Sequence, residues 1–224
     1  MANRCLLYYI TDRNQFNGNE PARRQALLAK VAEAASCGVD YIQLREKDLS
    51  ARELEGLARD ALIAMRSAPL RTENRELRTA LLINSRTDIA LAADADGVHL
   101  RADDIAPHEV RRVLEAANRP QIARHFRIAV SCHANEDVRR AESEAADFAV
   151  FAPVFGKTSA PGTPPAGLAA LGEACQARIP VLALGGVTVE NAASCLKAGA
   201  AGLAGIRLFQ ENKVQDVVRT LRAL

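Results

Sequence analysis

Apolar runs of strand length alternate with helical patterns along the whole chain. Between and after the runs, apolar residues recur every three to four positions, which predicts amphipathic helices. Strands that alternate with helices over short connections predict βαβ crossovers and a parallel sheet. The predicted strands cover residues 5–12, 40–46, 79–85, 97–101, 127–133, 148–155, 180–186 and 202–209, and the predicted helices cover 22–36, 51–66, 86–93, 107–117, 135–145, 168–177, 189–198 and 213–224.

The number and spacing of these units favour a closed barrel. Eight units, about 28 residues apart, match a compact single (β/α)8 TIM barrel domain spanning residues 1–224. A doubly wound open sheet is the alternative, but its usual G-x-G-x-x-G turn does not follow the first strand. Ser50 and Glu53 form a capping-box pattern that supports the second helix. Residues 68–78, rich in Arg and Glu, predict a solvated insertion.

Composition and charge exclude several classes of protein. The chain is 49% hydrophobic and 25% charged, which is typical of globular proteins. Its net charge of +2 gives no electrostatic reason to expect a nucleic-acid partner. No apolar run approaches the ~20 residues of a membrane span, and the N-terminus shows no signal-type cleavage site. Five scattered cysteines without a CxxC pair are typical of a reducing cytosol. We therefore expect a cytoplasmic protein without nucleic-acid or membrane partners, and homo-oligomerisation stays open.

The end of the second predicted strand carries the strongest candidate chemistry. Gln43, Arg45 and Lys47 are two residues apart, so a strand places them on one face. Arginine offers a planar fork to phosphate oxygens, and lysine offers a compact point charge. In the alternative interpretation, Arg45 and Lys47 pair with the neighbouring Glu46 or Asp48. We favour the anion site.

Polar residues also follow the third and fourth predicted strands. Asn84 is a candidate phosphate donor or a cap for the helix that begins near Arg86. Asp103 and Asp104 are candidate ligands for Mg²⁺, which prefers oxygen and shares its shell with substrate phosphates. The alternative for these two carboxylates is to cap the helix that begins at Pro107.

The fifth strand and the loop after the sixth add further candidates. Alternation places Ser131 and His133 on one face and Cys132 on the other. His133 is a candidate general acid or base, or a hydrogen-bonded structural residue. The polar loop 156–165 has the length and position of a lid over a charged substrate, or is a plain surface connection.

Glycines mark the ends of the last two strands. Gly185 and Gly186 follow the seventh strand, and Gly205, Ile206 and Arg207 form the turn of the eighth. Such turns let backbone N–H groups approach a phosphate at the carboxyl end of a barrel. They predict a phosphorylated ligand without specifying a reaction.

In order and spacing, these segments resemble the thiamine phosphate synthase and thiazole tautomerase family over nearly the whole chain. The matching segments are residues 9–12, 42–48, 82–84, 88–92, 95–100, 130–133, 153–155, 183–188 and 198–202.

The resemblance implies a transferase that joins an aminopyrimidine methyl diphosphate to a thiazole phosphate, giving thiamine phosphate and pyrophosphate. In this dissociative chemistry, Mg²⁺ and cations stabilise the departing diphosphate, and the thiazole nitrogen captures the pyrimidine carbocation. Catalysis rests on electrostatics and positioning. By match to the family motif, Gln43, Arg45 and Lys47 would hold the pyrimidine diphosphate together with Asn84 and Ser131, Asp104 would hold the magnesium, and Gly185, Gly186, Ile206 and Arg207 would hold the thiazole phosphate.

Three positions depart from the family pattern. Ser85 stands where synthases usually have a magnesium-binding aspartate, and Asp103 or Asp88 would have to compensate. Arg207 stands where a serine is common, and it either strengthens phosphate binding or obstructs the pocket.

The lid supplies the third departure. Ala160 stands where the lid usually has a lysine. Lys157, beside Thr158, is the residue that would reach the same phosphate instead.

The resemblance leaves two further functions open. A thiazole tautomerase would use His133 as its acid and base and needs no diphosphate site. A non-catalytic binder would sense a thiamine precursor. The intact Gln43, Arg45 and Lys47 favour the synthase, because a tautomerase has no diphosphate to neutralise.

Overall fold

The structure is a computed structural model that describes residues 4–69, 78–116, 125–156 and 164–224. Eight parallel strands follow one another around a closed barrel, and the last pairs with the first. The predicted (β/α)8 barrel is confirmed, and the open sheet is wrong. The strands are β1 Leu6–Ile10, β2 Tyr41–Leu44, β3 Ala80–Asn84, β4 Gly97–Leu100, β5 Arg127–Cys132, β6 Phe148–Phe151, β7 Val181–Ala183 and β8 Gly202–Gly205.

Helices cover the outside of the barrel. The capping box predicted for α2 is confirmed: the Ser50 side chain accepts from the Glu53 backbone N–H, and the Glu53 carboxylate accepts in return. A short 3-10 helix, Arg13–Gln15, follows β1. The α-helices in the described ranges are α1 Glu20–Ser36, α2 Ala51–Ser67, α3 Thr87–Ala92, α4 Pro107–Ala116, α5 Asn135–Ser143, α6 Gly167–Ala174, α7 Ala192–Lys197, α8 Arg207–Gln210 and α9 Val214–Arg222.

Two apolar layers hold the barrel together. One lies between the strands and the surrounding helices, and the other fills the barrel interior. Strands buried on both faces need apolar residues at nearly every position, which explains their continuous apolar runs. The interior layer consists of Tyr8, Ile10, Leu82, Ala129, Phe148, Val150, Leu182 and Ala204.

The strand register shows which residues continue this inward face to the carboxyl end of the barrel, which we call its mouth. Leu82 points inward, so Asn84, two residues on, also does. Asn84 is paired in register with His99, and His99 is paired with the inward Ala129. Ser131, two residues beyond Ala129, therefore ends the inward face of β5. Polar side chains replace apolar ones at the carboxyl end, where barrel enzymes place their sites.

Three strands end three or more residues before their predicted ends. The eighth prediction was wrong beyond residue 205, because the apolar segment after Ile206 coils into α8 and buries Leu208 and Phe209. A short apolar run does not distinguish a strand from a buried helical turn. β6 and β7 end at Phe151 and Ala183.

Two remaining predictions concern the insertion and the membrane. Most of the predicted insertion, residues 70–77, lies outside the described residues. Across the described ranges, the helices are too short or too polar to cross a bilayer.

Candidate active site

The charged residues at the end of β2 separate to two sides. The buried Arg13 binds Asp48 through two contacts of 2.6 and 2.8 Å and Glu46 at 3.2 Å. Arg13 also donates to Glu20 at 2.9 Å, and the Thr11 hydroxyl donates to Glu46 at 2.6 Å. The Arg13 guanidinium lowers the pKa of Asp48 to about 2. Both carboxylates of this segment are thus occupied by a scaffold arginine.

The two cations of the same segment have no counter-ion in the part of the chain that the structure describes. Within the described residues, neither Arg45 nor Lys47 has a carboxylate within 4.0 Å, although Glu46 and Asp48 are their neighbours in sequence. Arg45 is half-buried and Lys47 is exposed. The Arg45 guanidinium, followed by burial and the charge of Arg101, lowers the pKa of Lys47. Pairing within the strand end is therefore not the arrangement adopted, and the positive charge stays concentrated.

Gln43, the third member of the predicted group, lies deeper. Its side chain is buried, and its Nε2 donates to the Tyr8 hydroxyl at 3.2 Å. That hydroxyl lies 3.0 Å from His99 Nδ1, and His99 Nε2 lies 2.8 Å from Ser131 Oγ. The positive charge that a ligand could meet at this end of the site belongs to Arg45 and Lys47. Contact between Gln43 and the substrate stays a prediction.

Asn84 faces the barrel mouth and does not cap a helix. Its Nδ2 donates to Ser85 Oγ at 3.2 Å, whereas Arg86, the N-cap of α3, makes no side-chain capping bond. The capping alternative is therefore wrong. The Asp88 carboxylate accepts from Arg86 Nε at 2.8 Å and from Nη2 at 2.6 Å, and compensation for Ser85 by Asp88 stays a prediction.

The carboxylates after β4 close around an arginine. Asp104 accepts from the backbone N–H of Arg101 at 2.7 Å and lies 3.4 Å from its Nε. The Asp104 side chain is only 14% exposed, whereas Asp103, 3.1 Å from the same guanidinium, is 74% exposed. Their hydrogen bonds go to Arg101 and not to the start of α4, so the capping alternative does not hold.

The donor set near Asp104 fits one kind of magnesium site. Over the described ranges, no three His, Cys, Asp or Glu side chains form a group able to hold a metal ion. Mg²⁺ commonly keeps its waters and binds through one or two carboxylates together with substrate phosphates. Asp104 is suited to such a substrate-completed site, while the side chain of Asp103 extends into solvent.

His133 lies just beyond β5, at the rim. Its Nδ1 donates to the Ala152 carbonyl at 2.7 Å, and its backbone N–H donates to Asp137 at 2.9 Å. The first bond agrees with the structural interpretation and leaves Nε2 as the nitrogen open to a ligand; an acid–base role stays a prediction. Lys157 and Thr158 lie outside the described residues.

Only glycine fits the turn after β7. Gly185 and Gly186 have φ angles of +96° and +64°, which disfavour any residue with a Cβ. A Cβ on Gly185 would lie 2.7 Å from Pro153 Cα, and one on Gly186 would lie 2.8 Å from the Gly156 carbonyl oxygen. The turn can therefore pack against the segment after β6 only when both side chains are absent.

This turn lies beside the start of α8. β7 pairs with β8, so Gly185 and Gly186 neighbour Ile206 and the exposed Arg207. The backbone N–H groups of both glycines donate to no partner within the described residues. The first N–H groups of a helix also lack partners within the helix. Within the described residues, free backbone donors thus follow β7, beside the strand that leads into α8.

The comparisons with known proteins agree on one family. A profile described as thiamine monophosphate synthase matches residues 7–209. The chain belongs to the thiamine monophosphate synthase family. A putative thiamine-phosphate synthase 2 of Aquifex aeolicus is 40% identical over 206 residues, which cover 92% of this chain and 97% of that protein. A thiamine-phosphate synthase of Syntrophomonas wolfei is 37% identical over 221 residues, covering 97% and 95%.

A solved structure extends the likeness to three dimensions. The thiamine phosphate pyrophosphorylase from Pyrococcus furiosus superposes with a TM-score of 0.76 at 27% identity, over 99% of this chain and 95% of that one. The predicted membership of the thiamine monophosphate synthase family is therefore confirmed.

Sequence reasoning missed three residues at this family's barrel mouth. Tyr8 and His99 lie within strands that read as apolar, and only the inward register joins them to Ser131. The available signal was a polar residue, His99, inside an apolar strand. Arg101 was passed over because it follows β4 as one arginine among many.

Proposed function

We propose that this protein is a thiamine phosphate synthase. It joins an aminopyrimidinylmethyl diphosphate to a thiazole phosphate and releases pyrophosphate. The observation that carries the proposal is the pair Arg45 and Lys47, which has no carboxylate partner among the described residues and lies beside carboxylates that Arg13 already occupies. The names of the relatives support the same reaction.

In this reaction, the cations act on the leaving group. The bond between the pyrimidine methylene carbon and the diphosphate oxygen breaks, and its electron pair stays on the diphosphate. The thiazole nitrogen then uses its lone pair to form the new carbon–nitrogen bond. Negative charge on the diphosphate increases as this bond breaks, so Arg45 and Lys47 would stabilise the departing diphosphate more than the bound substrate.

The glycine turn serves the second substrate. We assign the thiazole phosphate to the free N–H groups of Gly185 and Gly186 and to the start of α8 at Ile206 and Arg207. Backbone donors and a helix N-terminus are a common phosphate site after the last strands of such barrels. The thiazole phosphate would then bind after β7 and β8 and the diphosphate after β2, with β1 between β8 and β2.

Magnesium is part of this proposal. Asp104 would hold the ion, and Asp103 is the neighbouring carboxylate. When bound, the ion would supply positive charge to the diphosphate. The side chains of Arg45 and Lys47 would orient the same group.

Product analysis tests the function. Purified protein is incubated with both phosphorylated precursors, with and without Mg²⁺, and thiamine phosphate and pyrophosphate are quantified. We expect the two products in equal amounts, with a higher rate in Mg²⁺. Omission of either precursor is the control. Uptake of thiazole phosphate without product would indicate a binder, and isomerisation of a thiazole carboxylate phosphate alone would indicate a tautomerase.

A further inference from the structure

A buried chain of hydrogen bonds crosses the barrel beneath the mouth. It runs from Gln43 Nε2 to the Tyr8 hydroxyl at 3.2 Å, on to His99 Nδ1 at 3.0 Å, and from His99 Nε2 to Ser131 Oγ at 2.8 Å. Gln43, Tyr8 and His99 are each at most 3% exposed, whereas Ser131 is half-buried at the mouth. The hydrogen-bond chain thus links the packed interior to a residue at the mouth of the barrel.

The donor at one end fixes the direction of the whole chain. Tyr8 has a single hydroxyl hydrogen and already accepts from Gln43, so His99 Nδ1 is the acceptor left for it among its described partners. A neutral histidine that accepts at Nδ1 carries its hydrogen on Nε2, which then donates to Ser131. The reverse direction would leave the buried Tyr8 hydrogen without an acceptor.

Ser131 is therefore the open end of the chain. Its oxygen accepts from His99, so its own hydrogen cannot bond back to that ring. Within the described part of the protein, Ser131 Oγ has no other hydrogen-bond partner. The hydrogen is free to point out of the barrel.

The charges around the ring keep this direction at neutral pH. Burial, followed by the charge of Arg45, lowers the pKa of His99 to about 3, and Asp104 opposes this only in part. Burial also raises the pKa of Tyr8 well above its ordinary value. Both groups are neutral over the range in which the enzyme would work.

We propose that Tyr8 and His99 are positioning residues that orient the Ser131 hydroxyl as a donor to an oxygen of the diphosphate. No proton is transferred; the chain sets only which atom donates. The diphosphate ligand rests on the proposed function, whereas the orientation of the chain does not. This arrangement is similar to an oxyanion hole, in which buried hydrogen bonds hold the donor in place.

The tautomer of His99 tests the orientation without any turnover. Nitrogen NMR of histidine-labelled protein, with the His99 signals assigned by their loss in His99→Gln, reports which ring nitrogen carries hydrogen. We expect hydrogen on Nε2 in the wild type and a mixture of tautomers in Tyr8→Phe. Hydrogen on Nδ1, or a charged ring at neutral pH, would overturn the proposal.

Affinity for inorganic pyrophosphate tests the consequence. We expect Ser131→Ala to weaken binding about tenfold and Tyr8→Phe about fivefold. In the Ser131→Ala background, Tyr8→Phe should have no further effect. His99→Gln, which retains a donor and an acceptor, should bind more tightly than His99→Leu.

A merely structural role gives a different pattern. If Tyr8→Phe weakens binding equally with and without Ser131, the proposal is overturned, because the two residues then act independently. A wild-type protein that binds pyrophosphate in this coupled manner but forms no thiamine phosphate would refute the proposed function and leave the orientation intact.

Discussion

Two arginines on either side of the β2 end show how differently one residue type can be used. Arg13 is buried against Glu46, Asp48 and Glu20. Arg45, one residue before Glu46, has no carboxylate partner in the described ranges. Arg13 neutralises charge and joins β1 to β2, while Arg45 concentrates charge. The difference teaches that an arginine is available to an anion when the acidic residues beside it are already bound to another cation. Here Glu46 and Asp48 are bound to Arg13.

The first region makes the second possible. Glu46 accepts from Thr11 and from the Arg13 backbone, so its carboxylate is held by the segment that follows β1. The Thr11 hydroxyl also accepts from the Arg45 backbone N–H at 3.0 Å. Arg45 and Lys47 follow the end of β2 and lie close enough for the charge of Arg45 to lower the pKa of Lys47.

Removal of the scaffold arginine should give the largest effect. In Arg13→Met, the Glu46 carboxylate, 1% exposed, loses its buried partner. We expect the free energy of unfolding in urea to fall by about 3–5 kcal/mol. Arg24→Met, which removes a more exposed partner of Glu20, is the control and should cost at most about 1 kcal/mol. An equally small loss in Arg13→Met would mean that the cluster is not a scaffold.

The same substitution at the other arginine should separate activity from stability. We expect Arg45→Met to lower kcat by about 10²- to 10³-fold, because a fixed donor to the leaving diphosphate is lost. Its free energy of unfolding should stay within about 0.5 kcal/mol of the wild type. Arg178→Met, at a side chain 95% exposed, should leave both quantities unchanged. Full activity in Arg45→Met would contradict the role of Arg45 at the diphosphate, on which its contrast with Arg13 rests.

The glycine turn extends the comparison from side-chain charge to backbone donors. Gly186→Ala places a Cβ 2.8 Å from a carbonyl oxygen at a φ of +64°. We expect about 1–3 kcal/mol lower stability and a higher KM for thiazole phosphate. Gly172→Ala, whose nearest contact would be 3.5 Å, is the matched control and should be neutral or slightly stabilising. A change in the KM for the pyrimidine diphosphate alone would contradict the assignment of the two substrates.

Of the two arginine regions, the Arg13 cluster is the one that acid should affect, and only weakly. The pKa of Asp48 falls from 3.8 to about 2 on folding, so its contribution is complete above the unfolded value and is lost as pH falls through the folded one. We expect a small loss of stability between about pH 4 and about pH 2 that is reduced in Arg13→Met. Arg45→Met should show the same dependence of stability on pH as the wild type. Loss of that dependence in Arg45→Met would show that the two clusters are coupled.

The sequence predicted the parts of the molecule that local pattern determines. Unit spacing was enough for the barrel, whereas the common face expected for Gln43, Arg45 and Lys47 stays a prediction, because β2 ends at Leu44. The partner of Glu46 could not be predicted, because Arg13 lies more than thirty residues away and meets it only through the pairing of β1 with β2.

Other features could not be predicted from the sequence, for the same reason. The bond between Tyr8 and His99 depends on which face of each apolar strand turns inward. The α8 turn depends on the packing of Leu208 and Phe209, and not on its own pattern. The roles of Lys157 and Thr158 remain predictions from sequence.

A crystal structure with inorganic pyrophosphate tests the central claim most directly. We predict pyrophosphate oxygens within hydrogen-bonding distance of the Arg45 guanidinium and the Lys47 ammonium, with Glu46 and Asp48 still bound to Arg13. Pyrophosphate bound elsewhere, or an Arg45 that turns away to pair with either carboxylate, would contradict the account.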